Sequence, residues 1–320
     1  MSKLLYIYEK RHPIDLVNFV RSRIRKNFAT WEEASYSEEE PVLIEKFSNA
    51  EVVLMAPGRY LSDEIHSYGK RIKLIQLWSS GYDKINLNAC RKYDQKVANN
   101  GGANSSSVAE HTILMILASA KRITEMHNRV VSANWVGNGH GLNLQSLFGK
   151  NLGIIGMGNI GSKVAKIATA FDMNVLYFDP YVEQTQNMKY LKCEFEDLLR
   201  RSDFISLHLH KTARTEPIIG ENEINLMKSG VNIINTSRAE LIDMQFLAKS
   251  LISGKVRYYA SDVFTNEPTL GKEIELSMNN VTFSPHIAGS NLETYQVALD
   301  NCLENIIRAL NNEPILWKIS

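Results

Sequence analysis

A glycine-rich turn between a buried strand and a helix constrains the fold of this 320-residue chain more than any other feature. The apolar run 152–155 predicts a buried strand, and apolar residues at helical spacing follow the turn. Gly156, Gly158 and Gly161 lie between them. The first glycine permits a tight turn, the second lets a pyrophosphate approach the backbone, and the third lets the helix pack closely on the strand. Because the helix N-terminus also offers free N–H groups, the pattern predicts a dinucleotide-binding unit.

The acidic residue after the next strand selects the nucleotide. Val175 to Phe178 is an apolar strand that runs into Asp179, eighteen residues after Gly161. A carboxylate at this position accepts hydrogen bonds from both ribose hydroxyls and repels a 2′-phosphate. We therefore expect the cofactor to be NAD rather than NADP.

Alternating strands and helices on both sides of this turn predict an α/β protein with two Rossmann-like domains. The fingerprint begins in mid-chain, so the simplest arrangement inserts the cofactor domain into the other domain. We expect residues 105–286 to form an NAD-binding Rossmann domain. Residues 1–104 and 287–320 are expected to form a discontinuous, flavodoxin-like substrate domain.

Individual elements follow from the apolar pattern and from turn signals. We predict strands over Leu4 to Tyr8, Glu51 to Met55 and Lys73 to Leu77. We predict helices over Ile14 to Ile24, over Val108 to Ile123 with a start near Ser107, and over Leu292 to Leu310.

Composition and charge exclude several classes of function. With 36 Lys and Arg against 35 Asp and Glu, the net charge of +1 predicts neither nucleic acid nor a membrane as a partner. Cys90, Cys193 and Cys302 lie far apart, which favours neither a disulfide framework nor a metal site. The apolar run at the N-terminus is too short for a signal sequence or a membrane span. We therefore expect a cytoplasmic protein without a metal.

Three later strands end in residues that suit hydride transfer to a small 2-oxo acid. Arg238 follows the first, Asp262 and Glu267 follow the second, and His286 follows the third. This reaction needs a proton donor and a cation that holds the substrate carboxylate, and His and Arg supply these. Each residue alone is more typical of a surface ion pair or a loop. Because they occur in this order after a cofactor-binding motif, a catalytic role is favoured over a surface ion pair or a loop position.

At this point the chain resembles the D-isomer-specific 2-hydroxyacid dehydrogenases, from about residue 74 to residue 312. This family includes phosphoglycerate dehydrogenase and glyoxylate/hydroxypyruvate reductase. The ordered motifs that carry the resemblance are Ser79 to Asp83, Asn104 to His111, Gly156 to Gly161, Asn235 to Arg238, Asp262 to Pro268 and Pro285 to Gly289.

The resemblance implies that Arg238, Glu267 and His286 are catalytic. His286 would exchange the proton of the C2 oxygen, and Glu267 would hydrogen-bond the far nitrogen of its ring. Arg238 would bind the carboxylate and polarise the C2 carbonyl. The backbone N–H groups of Ser80 and Gly81 would hold the other side of that carboxylate.

The resemblance also implies further cofactor contacts and a homodimer. Asp262 would contact the nicotinamide carboxamide, Asn159 and Ile160 the pyrophosphate, and Leu209 and Thr236 the length of the cofactor. The segment from Val108 to Leu147 resembles the dimerisation arm of the family. Trp135, within that segment, is expected to cover an interface or a substrate pocket, or only to pack in the core. For His111 and His208 we expect packing or hydrogen bonding rather than catalysis.

The sequence departs from the family pattern at two positions. Ala239 stands where the family has Gly, which matters only if the backbone there needs a positive φ. His210 stands where the family has Pro, which puts the shape of the loop beside the cofactor in question. The intact Glu267 argues against formate as substrate, and no regulatory domain is expected.

Two readings of function and several substrates remain open. The first reading is an NAD-dependent D-2-hydroxyacid dehydrogenase that reduces 2-oxo acids. The alternative is an NADH-sensing binding protein or corepressor on the same fold. The sequence does not choose between glyoxylate, hydroxypyruvate, phosphohydroxypyruvate and bulkier oxo acids.

Overall fold

The computed structural model describes residues 4–58, 60–183, 185, 189–210 and 217–320. It divides into two compact units. Residues 1–104 and 291–320 form the first, which we call the split unit, and residues 105–290 form the second, which we call the continuous unit.

Each unit is built from strands joined by helices. In chain order the strands are β1 (Leu4–Tyr8), β2 (Trp31–Ser35), β3 (Val52–Met55), β4 (Leu74–Leu77), β5 (Val97–Ala98), β6 (Asn151–Ile155), β7 (Asn174–Phe178), β8 (Leu191–Lys192), β9 (Phe204–Leu207), β10 (Val231–Asn235), β11 (Val256–Ser261) and β12 (Val281–Phe283). The helices are α1 (Ile14–Asn27), α2 (Glu40–Asn49), α3 (Asp63–Tyr68), α4 (Leu87–Lys92), α5 (Ser105–Lys121), α6 (Ile123–Val131), α7 (Asn159–Thr169), α8 (Phe195–Arg201), α9 (Glu221–Leu226), α10 (Met244–Ser253) and α11 (Leu292–Leu310). Short 3₁₀ helices cover Gly137–Asn143, Ala239–Leu241 and Ile274–Ser277.

The split unit is a five-stranded parallel sheet in the order β2-β1-β3-β4-β5. This is the flavodoxin-like order. Alternate side chains of β1 point to opposite faces, because side chains alternate along a strand. Leu4 and Tyr6 pack with α1 and α11, whereas Leu5 and Ile7 pack with α2 and α3. Both faces are therefore covered, as an all-parallel sheet requires.

The continuous unit is a seven-stranded parallel sheet in the order β12-β11-β10-β9-β6-β7-β8. The six strands from β8 to β11 have the Rossmann order, with β6 as the first strand. Helices α5 and α7 cover one face and α8, α9 and α10 the other. The chain reverses direction across the sheet between β6 and β9. Ligands of such sheets bind at the carboxyl ends of the strands beside that reversal.

The observed elements agree with the predicted ones to within three residues at each end. Helix α1 was predicted to end at Ile24 but continues to Asn27, so that bound was wrong. Strand Leu4–Tyr8 and helix Leu292–Leu310 have the predicted bounds. Helix α5 was predicted to continue to Ile123 but ends at Lys121, so that bound was wrong. The cause is Arg122, whose left-handed backbone with a φ of 49° interrupts the helix.

The units divide four residues later than the sequence suggests, after residue 290 rather than after residue 286. The reason is that the backbone N–H groups of Ile287 and Ala288 both donate to the Asp262 carboxylate. These bonds keep the segment after His286 with the continuous unit. Among the helices that the structure describes, none has both the length and the apolar composition needed to cross a bilayer.

Candidate active site

The glycine-rich turn has the geometry that its sequence predicts. Gly156 has a φ of 96°, and a Cβ there would lie 2.5 Å from the carbonyl oxygen of His208. A Cβ at Gly161 would lie 2.1 Å from the carbonyl oxygen of Gly156, so any side chain would separate α7 from the turn. A Cβ at Gly158 would meet no atom within 4 Å. The turn therefore requires glycine at its first and third positions and leaves open space at its second, where α7 begins.

Asp179 lies directly after β7 and its carboxylate is held by backbone amides. One oxygen accepts from the N–H of Met157 and the other from the N–H of Tyr181, both at 2.8 Å. These two bonds orient the carboxylate beside the glycine turn. An ionised carboxylate has further lone pairs for ribose hydroxyls and repels a phosphate, so the residues present fit NAD.

The other predicted cofactor residues lie around the same turn. Asn159 and Ile160 form the start of α7. Leu209 follows β9, and its Cδ2 lies 3.0 Å from where a Cβ of Gly156 would be. Thr236 is buried directly after β10. Their contacts with a nucleotide stay predictions.

A glutamate after β11 and a histidine after β12 form a hydrogen-bonded pair. Nδ1 of His286 lies 2.9 and 2.8 Å from the two carboxylate oxygens of Glu267. A carboxylate only accepts, so Nδ1 carries the proton of this hydrogen bond. Nε2 is then the atom at which the ring can take up or release a proton. The side chains are 45% and 26% exposed, which leaves the ring accessible.

Arg238 lies after β10, the strand beside β11. Its Nη1 donates to the carbonyl oxygen of Ser237 at 2.7 Å, and its own carbonyl accepts from Asn235 Nδ2 at 2.8 Å. Because β10, β11 and β12 are adjacent and parallel, Arg238, Glu267 and His286 follow the same edge of one sheet. The φ of the neighbouring Ala239 is not positive, so an alanine in place of the family's glycine causes no backbone strain.

Asp262 is buried and its carboxylate faces the loop of His286. It accepts from the hydroxyl of Ser284 at 2.5 Å and from the N–H groups of Ile287 and Ala288 at 2.9 and 2.8 Å. The predicted contact between Asp262 and the nicotinamide carboxamide stays a prediction. Ser284 was not among the predicted site residues, and no local sequence pattern marks it. The ring Nε2 of His111 lies 2.8 Å from its hydroxyl.

The predicted carboxylate anchor lies in the split unit, after β4. The hydroxyl of Ser80 lies 2.6 Å from Asn100 Oδ1 and 2.5 Å from Asn104 Oδ1, and its carbonyl accepts from Asn99 Nδ2 at 3.0 Å. Within the described part of the chain, the backbone N–H groups of Ser80 and Gly81 have no hydrogen-bond acceptor. The loop is thus fixed by side chains and keeps two donors for an anion.

His208 is the titratable side chain next to the glycine turn, and it is unsuited to proton transfer. Its Nε2 lies 2.9 Å from the Ser206 hydroxyl. Burial lowers the pKa of His208 to about 3, so the ring is neutral near pH 7. His210 is exposed, and Lys211 and Thr212, which follow it, lie outside the described residues.

All three cysteines are free thiols. The residues that the structure describes contain no group of three or more His, Cys, Asp or Glu able to hold a metal ion.

The chain is similar in sequence and in fold to known proteins. Residues 113–288 match the family model of the D-isomer specific 2-hydroxyacid dehydrogenase, NAD binding domain. The chain is 35% identical over 278 residues to the hydroxypyruvate reductase of Thermotoga maritima, and the match covers 85% of this chain and 89% of that protein. A solved glyoxylate reductase from Paecilomyes thermophila has a TM-score of 0.86 at 26% identity, over 99% of this chain and 98% of that one.

Another relative is considerably longer. The D-3-phosphoglycerate dehydrogenase of Methanocaldococcus jannaschii is 34% identical over 274 residues, which are 85% of this chain and 52% of that protein. The chain therefore spans about half the length of that relative. The family model describes an NAD-binding domain and lies entirely within the continuous unit, which confirms NAD as the cofactor.

Proposed function

The chain belongs to the D-isomer specific 2-hydroxyacid dehydrogenase family, and we propose that it transfers hydride between NAD(H) and C2 of a small 2-oxo or D-2-hydroxy acid. The observation that carries the proposal is the His286–Glu267 pair with its free Nε2. It follows the same sheet edge as Arg238, in the unit that contains the glycine turn. A cation, a proton donor and a nucleotide site are the parts that this reaction needs.

His286 moves the proton. In reduction, Nε2 gives a proton to the C2 oxygen as that oxygen gains negative charge, and in oxidation it takes the proton back. Glu267 keeps Nδ1 protonated and stabilises the imidazolium that oxidation produces. NADH, when bound, supplies the hydride that C2 receives.

Arg238 holds the substrate. A planar guanidinium binds a carboxylate through two parallel hydrogen bonds and draws electron density from the adjacent carbonyl. The free N–H groups of Ser80 and Gly81 are proposed to bind the same carboxylate.

Hydroxypyruvate and glyoxylate are the first acids to test. Relatives named hydroxypyruvate reductase and glyoxylate reductase are matched over most of their length.

A homodimer through the segment from Val108 to Leu147 is also proposed. Helix α6 has no buried residue, and large apolar side chains along this segment are exposed. The most exposed are Val131, Trp135 and Leu142. An apolar surface of this kind favours association with a second copy, and a monomer mass in sedimentation would contradict it. Free thiols support a cytoplasmic location.

The test of the reaction is NADH oxidation with a panel of 2-oxo acids, run on the wild type and on His286→Gln. Loss of the proton donor should lower kcat by about 10²-fold or more while NADH still binds. Lys249→Gln is the control, because Lys249 is an exposed side chain on α10 of the same unit, outside the site and outside the segment from Val108 to Leu147. If the wild type binds NADH tightly yet reduces no acid, the chain is an NADH-sensing protein and the proposal is wrong.

A further inference from the structure

Three polar side chains in the first two turns of α5 contact the loops that carry the proposed catalytic residues. The hydroxyl of Ser107 donates to the carbonyl of Ala288 at 2.7 Å. Nε2 of His111 lies 2.8 Å from the hydroxyl of Ser284. One residue further along, Oγ1 of Thr112 lies 2.9 Å from Oγ1 of Thr236. All of these residues belong to the continuous unit.

The direction of each bond around His111 follows from the proton count. The Ser284 hydroxyl has one hydrogen and lies 2.5 Å from Asp262, whose ionised carboxylate only accepts. Ser284 therefore donates to Asp262 and accepts from Nε2–H of His111. The result is a relay in which His111 orients Ser284, and Ser284 orients the carboxylate.

This relay holds the loop on both sides of His286. Asp262 binds Ser284 before the histidine, and Ile287 and Ala288 after it. The histidine itself has a φ of 54°, a left-handed conformation that side chains rarely adopt. Such a conformation persists only where the surroundings enforce it. The contacts from α5 and Asp262 supply that enforcement.

The loop of Arg238 is held from the same helix. The Thr112 hydroxyl donates to the carbonyl of Val108 at 2.8 Å, so it accepts its second bond from the Thr236 hydroxyl. Both threonines are buried. Thr236 lies two residues before Arg238, and the intervening Ser237 hydroxyl donates to Leu207 at 2.7 Å. The turn that presents the guanidinium is thereby tied to α5 and to β9.

We propose that the start of α5 positions both catalytic loops, with His111 acting on His286 through Ser284 and Asp262, and Thr112 acting on Arg238 through Thr236. His111 and Thr112 are positioning residues, since each acts through another side chain. The inference rests on the proposed function. It also gives the motif from Asn104 to His111 a purpose that the reaction itself does not explain.

Steady-state kinetics should distinguish the His111 contact from the Thr112 contact. His111→Leu removes the donor to Ser284 and should lower kcat for hydroxypyruvate or glyoxylate by about 10-fold or more, because a proton donor displaced by about 1 Å loses much of its effect. Its KM should change less than about two-fold. Thr112→Val loosens the carboxylate anchor and should instead raise KM by about five-fold, the effect of one net hydrogen bond.

Conservative variants test whether the hydrogen bond itself matters. His111→Gln keeps a donor close to the position of Nε2 and should restore most of kcat, and Thr112→Ser keeps the hydroxyl and should restore KM. Thr169→Val is the matched control, because that helical threonine bonds only back to Lys166 and lies away from the site. The NADH dissociation constant and the thermal midpoint of each variant show that it folds.

The split between the kcat effect of His111→Leu and the KM effect of Thr112→Val, with rescue by Gln and Ser, distinguishes positioning from a general loss of structure. Equal changes in kcat and KM in both variants, or no rescue by Gln and Ser, would overturn the inference. If His286→Gln itself retains full activity, the proposed function has failed rather than the positioning role.

Discussion

The two units contain the same kind of parallel sheet but use their buried polar side chains differently. In the split unit, Gln76 on β4 donates to the carbonyl of Asn99 and accepts from Asn305 on α11. Asn305 in turn accepts from the N–H of Leu316 at 2.8 Å. Every bond in this network ends on another part of the same unit. The network attaches the C-terminal segment to the sheet.

In the continuous unit, the polar residues at the strand ends leave atoms available. Nδ1 of His286 hydrogen-bonds Glu267, and Nε2 is the ring nitrogen proposed to carry the proton. The difference teaches that a polar residue in a sheet is not by itself the sign of a site. A site is indicated where fixed polar groups keep one donor or acceptor unused, and Ser80–Gly81 is the corresponding place in the split unit.

An arginine-to-glutamine substitution in each unit should show the largest contrast in activity. Arg238→Gln should lower kcat/KM by about 10²- to 10³-fold, the usual cost of losing one donor to a developing charge. Stability should change little. Arg21→Gln, which breaks an ion pair with Glu33 at 2.7 Å in the split unit, should leave kcat/KM unchanged and cost at most about 1 kcal/mol of unfolding free energy. Steady-state kinetics and urea unfolding measure the pair.

If Arg21→Gln reduced activity as much as Arg238→Gln, the contrast between the units would be lost. Equal retention of activity in both variants would remove Arg238 from the site.

Local patterns were enough to predict much of the fold and to select residues for the candidate site. The strand Leu4–Tyr8 and the helix Leu292–Leu310 follow from apolar periodicity, and the glycine turn follows from the steric demands at Gly156 and Gly161. Arg238, Glu267 and His286 could be selected because each follows a recognisable strand.

The contacts that fix these elements could not be predicted. His111 and Ser284 are 173 residues apart, and Gln76 and Asn305 are 229 apart. Nothing in the neighbouring residues of either partner indicates the other, since each pairing depends on how helices pack over a sheet. The end of α5 could not be predicted either. Arg122 adopts a left-handed backbone, and no glycine, the residue that usually adopts this conformation at a helix end, is present there.

Two buried asparagines, one in each unit, should contribute unequally to the free energy of unfolding. In the split unit, Asn305→Leu leaves Gln76 and the N–H of Leu316 without their partners and should cost about 2 kcal/mol of unfolding free energy. In the continuous unit, Asn232 donates to Gln145 at 2.8 Å, but its buried Oδ1 has no partner among the described residues. Asn232→Leu removes that unpaired oxygen and should therefore cost less. Chemical denaturation of both variants checks the ranking, and the reverse ranking would contradict it.

The smallest effect near neutral pH is a shared dependence of stability on pH, with one buried histidine in each unit. Burial lowers the pKa of His66 in the split unit, although its hydrogen bond to Gln95 opposes this, and burial lowers the pKa of His208 in the continuous unit to about 3. In the folded chain each ring takes up a proton less readily than in the unfolded chain, which becomes protonated below about pH 6.5. The stability is therefore fully present above pH 6.5 and falls as the pH is lowered, by up to about 1.4 kcal/mol per pH unit for each ring. Near pH 7 the two histidines contribute almost nothing to this dependence.

Replacing either histidine separates the two contributions. His66→Gln and His208→Gln should each reduce the slope of unfolding free energy against pH between about pH 4 and 6, by up to about 1.4 kcal/mol per pH unit. Urea titrations at a series of pH values measure this slope. An unchanged slope in His208→Gln would mean that this ring is solvated and free to titrate beside the glycine turn. The contrast between an inert His208 and a proton-carrying His286 within one unit would then fail.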